Sequence, residues 1–152
     1  YRGADILGEF SQAAMTRGSK IHALLEHCEW LEDFTTDDSE LQVMLAKEHV
    51  RQKLSRPPVG DFEVWRERDF SALINEGDSS YILRGCFDRV VIQLDPDGKK
   101  VAAEIIDYKT GAINNISRVK YQAQLDEYSK ALQLLLDLGV DDISCCLLEL
   151  DA

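Results

Sequence analysis

The apolar residues of the chain follow two patterns, and the first one is helical. Between residues 19 and 31 they recur every three or four positions, which is the period of one face of an α-helix. A second helix is predicted to begin near Asp38, where Asp38 or Ser39 can cap it, and to end before Pro57. A third and longer helix is predicted over residues 117–138, where a glycine follows it.

The second pattern is that of β-strands. Four segments are rich in aromatic, β-branched or other apolar side chains: residues 62–70, 81–94, 101–109 and 143–150. A polar loop at residues 75–80 separates the first two segments, and the turn sequence Asp95-Pro96-Asp97-Gly98 joins the second to the third as a hairpin. Strands that alternate with helices predict an α/β or α+β fold.

Composition limits the possible classes of protein. A chain of 152 residues that is 45% hydrophobic is long enough for one compact domain over residues 1–152. Its 28 acidic and 17 basic residues give a net charge of −11, which argues against binding nucleic acid by bulk electrostatics. Since no apolar run approaches the roughly 18 residues that span a bilayer, and no signal pattern is visible, we expect a soluble, cytoplasmic protein. Because the chain starts at Tyr1, we expect a piece of a longer polypeptide.

Acidic and basic side chains converge at the predicted hairpin. If Asp97 and Gly98 form a two-residue turn, Asp88 lies directly opposite Asp107, and a four-residue loop makes the two aspartates diagonal neighbours on the same face. A three- or five-residue loop would instead put them on opposite faces. Because strand side chains alternate, Lys109 shares the face of Asp107.

This arrangement predicts a metal site. Two carboxylates at about 4 Å repel by about 4 kcal/mol at an effective dielectric of 20, so such a pair favours a proton, an ammonium or a divalent cation. Carboxylates that hold a cation, with a lysine that steers the attacking water, are typical of a metal-dependent phosphodiesterase. The competing interpretation is that Asp107 and Lys109 simply end a strand in solvent, near an unrelated Asp88.

Four ordered motifs add to this pattern. They are Gly18…His22-x-x-x-Glu26, Gly85-x-x-Asp88, Asp107-x-Lys109 and Gln124-x-x-x-Tyr128. Together they resemble the RecB-like branch of the PD-(D/E)XK nuclease superfamily over residues 18–132. The resemblance implies a central mixed sheet flanked by helices, with a restriction-endonuclease-like core. It also implies Mg²⁺- or Mn²⁺-dependent hydrolysis of DNA phosphodiesters, of the exonuclease type found in repair and recombination.

The resemblance also implies roles for individual residues. His22, Asp88 and Asp107 would bind the metal, together with the backbone carbonyl of Tyr108. Lys109 would orient or help to deprotonate the attacking water and would offset charge in the transition state.

Three further residues have supporting roles under the same resemblance. Gln124 and Tyr128, one helical turn apart, would brace the site and contact the substrate. Glu26 would orient His22 or hold a metal-bound water. The competing interpretations are that His22 is a boundary or surface histidine and that Tyr128 only packs in the core.

Two basic clusters are candidates for contact with the phosphate backbone of DNA: Lys47 with Arg51, and Arg118 with Lys120. A solvated helix face is the alternative for the first cluster. The acidity of the chain predicts weak unaided DNA binding, so a helicase or other domains or subunits are expected to deliver the DNA. A catalytically inactive nuclease-fold module that binds DNA or acts as a scaffold, and a different metal-dependent hydrolase, are the alternative functions.

Overall fold

The computed structural model describes residues 16–152, and these residues form two compact units. The first, which we call the helical unit, contains residues 16–55, Tyr108–Ala112 and Glu149–Ala152. The second, the sheet unit, contains Arg56–Asp107 and Ile113–Leu148. The prediction of a single domain over residues 1–152 stays a prediction. No helix within residues 16–152 is long and apolar enough to cross a membrane.

The helical unit contains three α-helices. Helix α1 covers residues 16–25, α2 is Ser39–Leu45 and α3 is Glu48–Leu54, with a 3₁₀ turn at Leu31–Asp33. Helix α1 ends before residue 31, the end predicted from the apolar spacing. Beyond it Cys28 and Trp30 are both buried, and residues two apart cannot share one helix face.

The single helix that was predicted from Asp38 is instead two helices. Asp38 caps α2 as expected, since its side chain accepts a hydrogen bond from the Leu41 N–H at 2.9 Å. The helix breaks at Lys47, whose backbone is extended. In one continuous helix, the positions three and four residues after Met44 would face the core, and these positions are polar. Because a new helix starts after the break, α3 buries Val50 instead.

The sheet unit is built on four strands in the order β1-β2-β3-β4, which form a mixed sheet. The strands are β1 (Asp61–Glu76), β2 (Ser79–Leu94), β3 (Lys100–Lys109) and β4 (Ile143–Glu149), and the last residues of β3 and β4 belong to the helical unit. Both β1–β2 and β2–β3 are antiparallel, so the predicted hairpin is confirmed. The prediction of an α/β fold is confirmed as well.

Helix α4 (Asn115–Leu136) connects β3 to β4 and packs on the sheet. Asn114 caps it by accepting a hydrogen bond from the Ser117 N–H at 2.8 Å. The helix ends at Leu136, two residues earlier than predicted, and the next residue, Asp137, has a left-handed backbone with φ 55°. Buried side chains of the helix, among them Leu125 and Leu132, join strand side chains in one hydrophobic core.

The β1–β2 hairpin is longer than the sequence pattern indicated. The predicted polar loop at residues 75–80 is mostly strand, and the turn is only Gly77-Asp78, with Gly77 at φ 58°. Asn75 pairs with Ser80 in the ladder, and the Ser80 hydroxyl also donates to the Asn75 side chain at 2.7 Å. Residues at this end of the hairpin are polar and exposed, so hydrophobic alternation gives no strand signal there.

Candidate active site

The β2–β3 turn has three residues, Pro96-Asp97-Gly98, rather than two or four. The Asp95 N–H donates to the Lys99 carbonyl at 2.8 Å, and Gly98 takes the left-handed backbone that closes the turn, with φ 81°. Taken alone, this loop length would put Asp88 and Asp107 on opposite faces of the hairpin.

A β-bulge restores the predicted register. Leu94 pairs with Lys100 but Gln93 pairs with Ala102, so Val101 is an extra residue in β3. From Gln93 to Arg89, the two residue numbers of each pair between β2 and β3 add up to 195, and the last of these pairs is Arg89 with Ile106. The next position along this register is Asp88 opposite Asp107. The predicted two-residue turn is therefore wrong, but the register inferred from it is right.

A third carboxylate, Glu67, lies beside this pair. The ladder pairs Arg66 with Arg89 and Arg68 with Phe87, so that Glu67 is opposite Asp88. Oxygens of Glu67 and Asp88 lie within 4.8 Å of one another. A six-residue loop at residues 75–80 and a Gly77-Asp78 turn both give paired positions that sum to 155, so the predicted loop already implied this register. Glu67 was missed because the metal site was sought only in the hairpin of β2 and β3.

Both strands change face at the Glu67–Asp88 step. Trp65 and Phe70 both pack against the hydrophobic core although they are five residues apart, and Phe87 and Val90 both do so three residues apart. Regular alternation would send the members of such pairs to opposite faces. Glu67 accommodates the change in β1 with a left-handed backbone, φ 45°. Because of this change of face, Asp88 lies between the core residues Phe87 and Val90 of its strand but is not itself part of the core.

Tyr128 on α4 reaches the backbone of β2 next to the aspartates. Its ring packs edge-on against Phe70, with ring centroids 4.9 Å apart, and the Cys86 N–H donates a hydrogen bond to its hydroxyl oxygen. Burial raises the pKa of Tyr128, and the charges of Asp107 and Asp88 raise it further. The hydroxyl is therefore close enough to both carboxylates to sense their charge, and the Tyr128 phenol is kept neutral.

Gly85 makes this approach possible. A Cβ at Gly85 would lie 2.7 Å from Cζ of Tyr128 and 2.9 Å from Cζ of Phe70, both far inside van der Waals contact. The glycine of the Gly85-x-x-Asp88 motif is thus required by packing. Gln124, one turn before Tyr128, is exposed.

In the helical unit, His22 lies against the backbone of Tyr108. The His22 Nε2 atom is 3.2 Å from the Tyr108 carbonyl oxygen, and the two rings meet edge to face at 5.6 Å. The structure therefore brings together two of the predicted metal ligands. Lys109 is anchored through its carbonyl, which accepts a hydrogen bond from the Leu150 N–H at 2.9 Å. Glu26 is exposed in the turn that follows α1.

The loop after Lys109 is held by an ion pair. The Arg17 guanidinium donates two hydrogen bonds of 2.8 Å to the Asp151 carboxylate, which also accepts from the Gly111 N–H at 2.5 Å. The hydrogen bond from Arg17 lowers the pKa of Asp151 to about 2. A Cβ at Gly18 would lie 3.2 Å from the Thr110 hydroxyl, so this motif glycine also serves close packing.

The predicted DNA-binding residues belong to both units. Lys47 donates to the Ala152 carbonyl at 3.0 Å, and Arg51 is exposed on α3. At the start of α4, Arg118 is half-buried and Lys120 is exposed. Their contact with DNA stays a prediction.

A family model of the PD-(D/E)XK nuclease superfamily matches residues 2–151, nearly the whole sequence. The chain belongs to the PD-(D/E)XK nuclease superfamily. The prediction of a restriction-endonuclease-like core is consistent with this membership and with the mixed sheet. No curated protein matches the sequence.

Members of the PD-(D/E)XK superfamily typically use divalent metals, and the residues of this chain suit one. Continued by one step, the register of β2 and β3 sets Asp88 opposite Asp107, and Glu67 is beside Asp88. Carboxylate oxygens are the donors that Mg²⁺ and Mn²⁺ prefer, whereas softer metals favour thiolates. The donor set of the sheet unit therefore fits a hard divalent cation.

Proposed function

We propose that the chain is a Mg²⁺- or Mn²⁺-dependent DNA nuclease of the RecB-like branch, with exonuclease activity in DNA repair or recombination. The observation that carries the proposal is the register of β2 and β3, which would set Asp88 opposite Asp107 at its next step, in a member of this superfamily. The order of the motifs in the sequence supports the assignment to the RecB-like branch.

The proposed ligands are His22, Asp88, Asp107 and the carbonyl of Tyr108. Opposed carboxylates gain from a cation because it removes their mutual repulsion. The distance of 3.2 Å between His22 Nε2 and the Tyr108 oxygen supports a shared cation in a second way. Adjacent ligands of an octahedral site with bonds of about 2.1 Å lie about 3 Å apart. A bound divalent cation would polarise the phosphodiester and lower the pKa of an attacking water.

The remaining motif residues would orient the reactants. The Lys109 ammonium would hold the attacking water and offset the negative charge that develops on the phosphate oxygens. Tyr128 would fix the β2 backbone at Cys86, two residues before Asp88, through the hydrogen bond to its hydroxyl. The exposed Gln124 would contact the DNA from the same helix. Glu26 would hold a water at the edge of the site.

DNA is the proposed substrate and partner. With a net charge of −11 the chain offers little general attraction for a polyanion, so Lys47, Arg51, Arg118 and Lys120 would supply local phosphate contacts. A helicase or other domains or subunits would deliver the DNA strand. We propose that the protein acts in the cytoplasm.

Cleavage assays with matched variants test the proposal. The chain is incubated with Mn²⁺, a closed circular plasmid and an end-labelled linear strand, beside the variants Asp107→Asn and Lys109→Ala. Loss of either group should lower the rate by about 10²- to 10⁴-fold. The controls Asp97→Asn and Lys99→Ala change exposed residues in and beside the β2–β3 turn and should cleave like the native chain.

The outcomes separate the alternatives. Cleavage of the linear strand without the circle supports an exonuclease, and cleavage of both indicates an endonuclease. DNA binding without any cleavage would favour the inactive binding or scaffolding module. Cleavage that persists in Asp107→Asn would refute the proposed metal site.

A further inference from the structure

We infer that Glu67 is a third carboxylate of the cation site and binds the divalent metal together with Asp88. This inference rests on the proposed function, since it assigns another residue to the same metal centre. None of the four sequence motifs includes Glu67.

The first support is position. Glu67 is held opposite Asp88 by ladder pairs on either side of it, Arg66 with Arg89 and Arg68 with Phe87. The two carboxylates approach to within 4.8 Å of one another through one oxygen each. Two oxygens that bind one Mg²⁺ or Mn²⁺ at about 2.1 Å lie at most about 4.2 Å apart. An approach within 4.8 Å places the two carboxylates close to this limit, so a small side-chain adjustment would let both bind one cation.

The second support is the surroundings of the Glu67 carboxylate. The Cys86 thiol donates a weak hydrogen bond to Glu67 Oε2, with a sulfur–oxygen distance of 3.7 Å. This contact holds the Glu67 carboxylate beside β2, the strand that carries Asp88.

The third support is the backbone. Glu67 is one of the two non-glycine residues with positive φ within residues 16–152, and it lies inside a long strand rather than at a turn. Such strain persists where the surrounding structure fixes it, and it is common at functional sites. At Glu67 it accompanies the change of strand face, which takes the side chain out of the alternation that fills the core.

The test measures metal binding without catalysis. Mn²⁺ is titrated calorimetrically into the native chain and into Glu67→Gln, Asp88→Asn and Glu63→Gln. Glu63 is the matched control, because it is a glutamate on the same strand whose carboxylate accepts from the Trp65 indole N–H at 3.1 Å. We expect Glu67→Gln to weaken Mn²⁺ binding by about 10- to 100-fold and Glu63→Gln to leave it unchanged.

Melting without metal separates a ligand from a merely structural residue. Because Glu67→Gln removes the repulsion with Asp88, its melting temperature in EDTA should equal or exceed that of the native chain. Glu67→Gly provides a second variant, since glycine takes a positive φ without strain. It should lose Mn²⁺ binding to the same extent.

Each contrary result has its own meaning. If Glu67→Gln and Glu67→Gly bind Mn²⁺ less than tenfold more weakly than the native chain while Asp88→Asn loses binding, the inference about Glu67 is overturned and the proposed function stands. A lower melting temperature in EDTA for both variants at Glu67 also overturns it. If the native chain binds no Mn²⁺, or Asp88→Asn binds it normally, the proposed function itself fails.

Discussion

Gly85→Ala should destabilise the sheet unit because two aromatic rings occupy the space of the added methyl group. The Cβ would lie 2.7 Å from Cζ of Tyr128 and 2.9 Å from Cζ of Phe70. To restore a contact of 3.4 Å, the tyrosine atom must retreat by 0.7 Å and the phenylalanine atom by 0.5 Å. Overpacking of this kind costs about 1–3 kcal/mol in the free energy of unfolding.

Urea denaturation followed by circular dichroism measures this loss. Gly139→Ala is the matched control, because Gly139 is in the same unit and has φ −82°, and its added Cβ would meet only Asp142 Oδ2 at 3.6 Å. We expect the control to unfold within about 0.5 kcal/mol of the native chain. Equal stability of Gly85→Ala and the native chain would refute the close approach of Tyr128.

A double-mutant cycle identifies the group responsible. Tyr128→Phe removes the hydroxyl that would overlap the new Cβ most severely, and alone it should cost about 1 kcal/mol through the lost hydrogen bond from Cys86. In the background of Gly85→Ala the same change should cost less, or should stabilise. A coupling energy below about 0.5 kcal/mol would show that the two sites do not interact.

Three further predictions concern acid stability, metal and the bulge. Asp151→Asn should lower stability at pH 7 by about 1 kcal/mol, because the lowered pKa corresponds to about 2 kcal/mol and solvent screening reduces it in this partly exposed pair with Arg17. Since the folded-state pKa of Asp151 is depressed, its contribution is complete above pH 3.8 and is lost as pH falls towards 2, so acid titrations of native and variant chains should converge there; parallel curves would contradict this. Mn²⁺ at 100 times its dissociation constant should stabilise the native chain by about 2.7 kcal/mol in thermal melts, and equal stabilisation of Asp107→Asn would refute the ligand assignment. Deletion of Val101 should preserve Mn²⁺ binding in calorimetry because the ladder then closes with the same partners, whereas deletion of Gln93 should abolish it; equal effects would contradict the bulge assignment.

Local sequence patterns were enough to predict much of the fold. The hairpin of β2 and β3, the long helix α4 and the cap at Asp38 each depend on residues close together in the chain. The motifs also indicated the superfamily, because their order and spacing can be recognised in the sequence without knowledge of contacts. The metal ligands and Lys109 were predicted from the same motifs. That these residues act together at one site stays a prediction.

Helix ends were predicted less well because they depend on tertiary packing. The break between α2 and α3 allows Val50 to be buried. The spacing of the apolar residues alone did not show that burial of Val50 requires a second helix. The length of the β1–β2 hairpin was missed for a related reason. Polar, exposed strand ends carry no hydrophobic alternation, so backbone pairing alone defines them.

The sequence by itself determined which chemical groups are present and in what order: two aspartates on neighbouring strands, a lysine two residues after one of them, and a Gly-x-x-Asp motif. Only the tertiary structure decided that the bulge at Val101 corrects a three-residue turn, that Glu67 joins Asp88, and that Gly85 makes room for Tyr128. The physical reason is that register, strand face and ring packing arise from contacts between residues far apart in the chain. Several registers are equally compatible with the same local pattern.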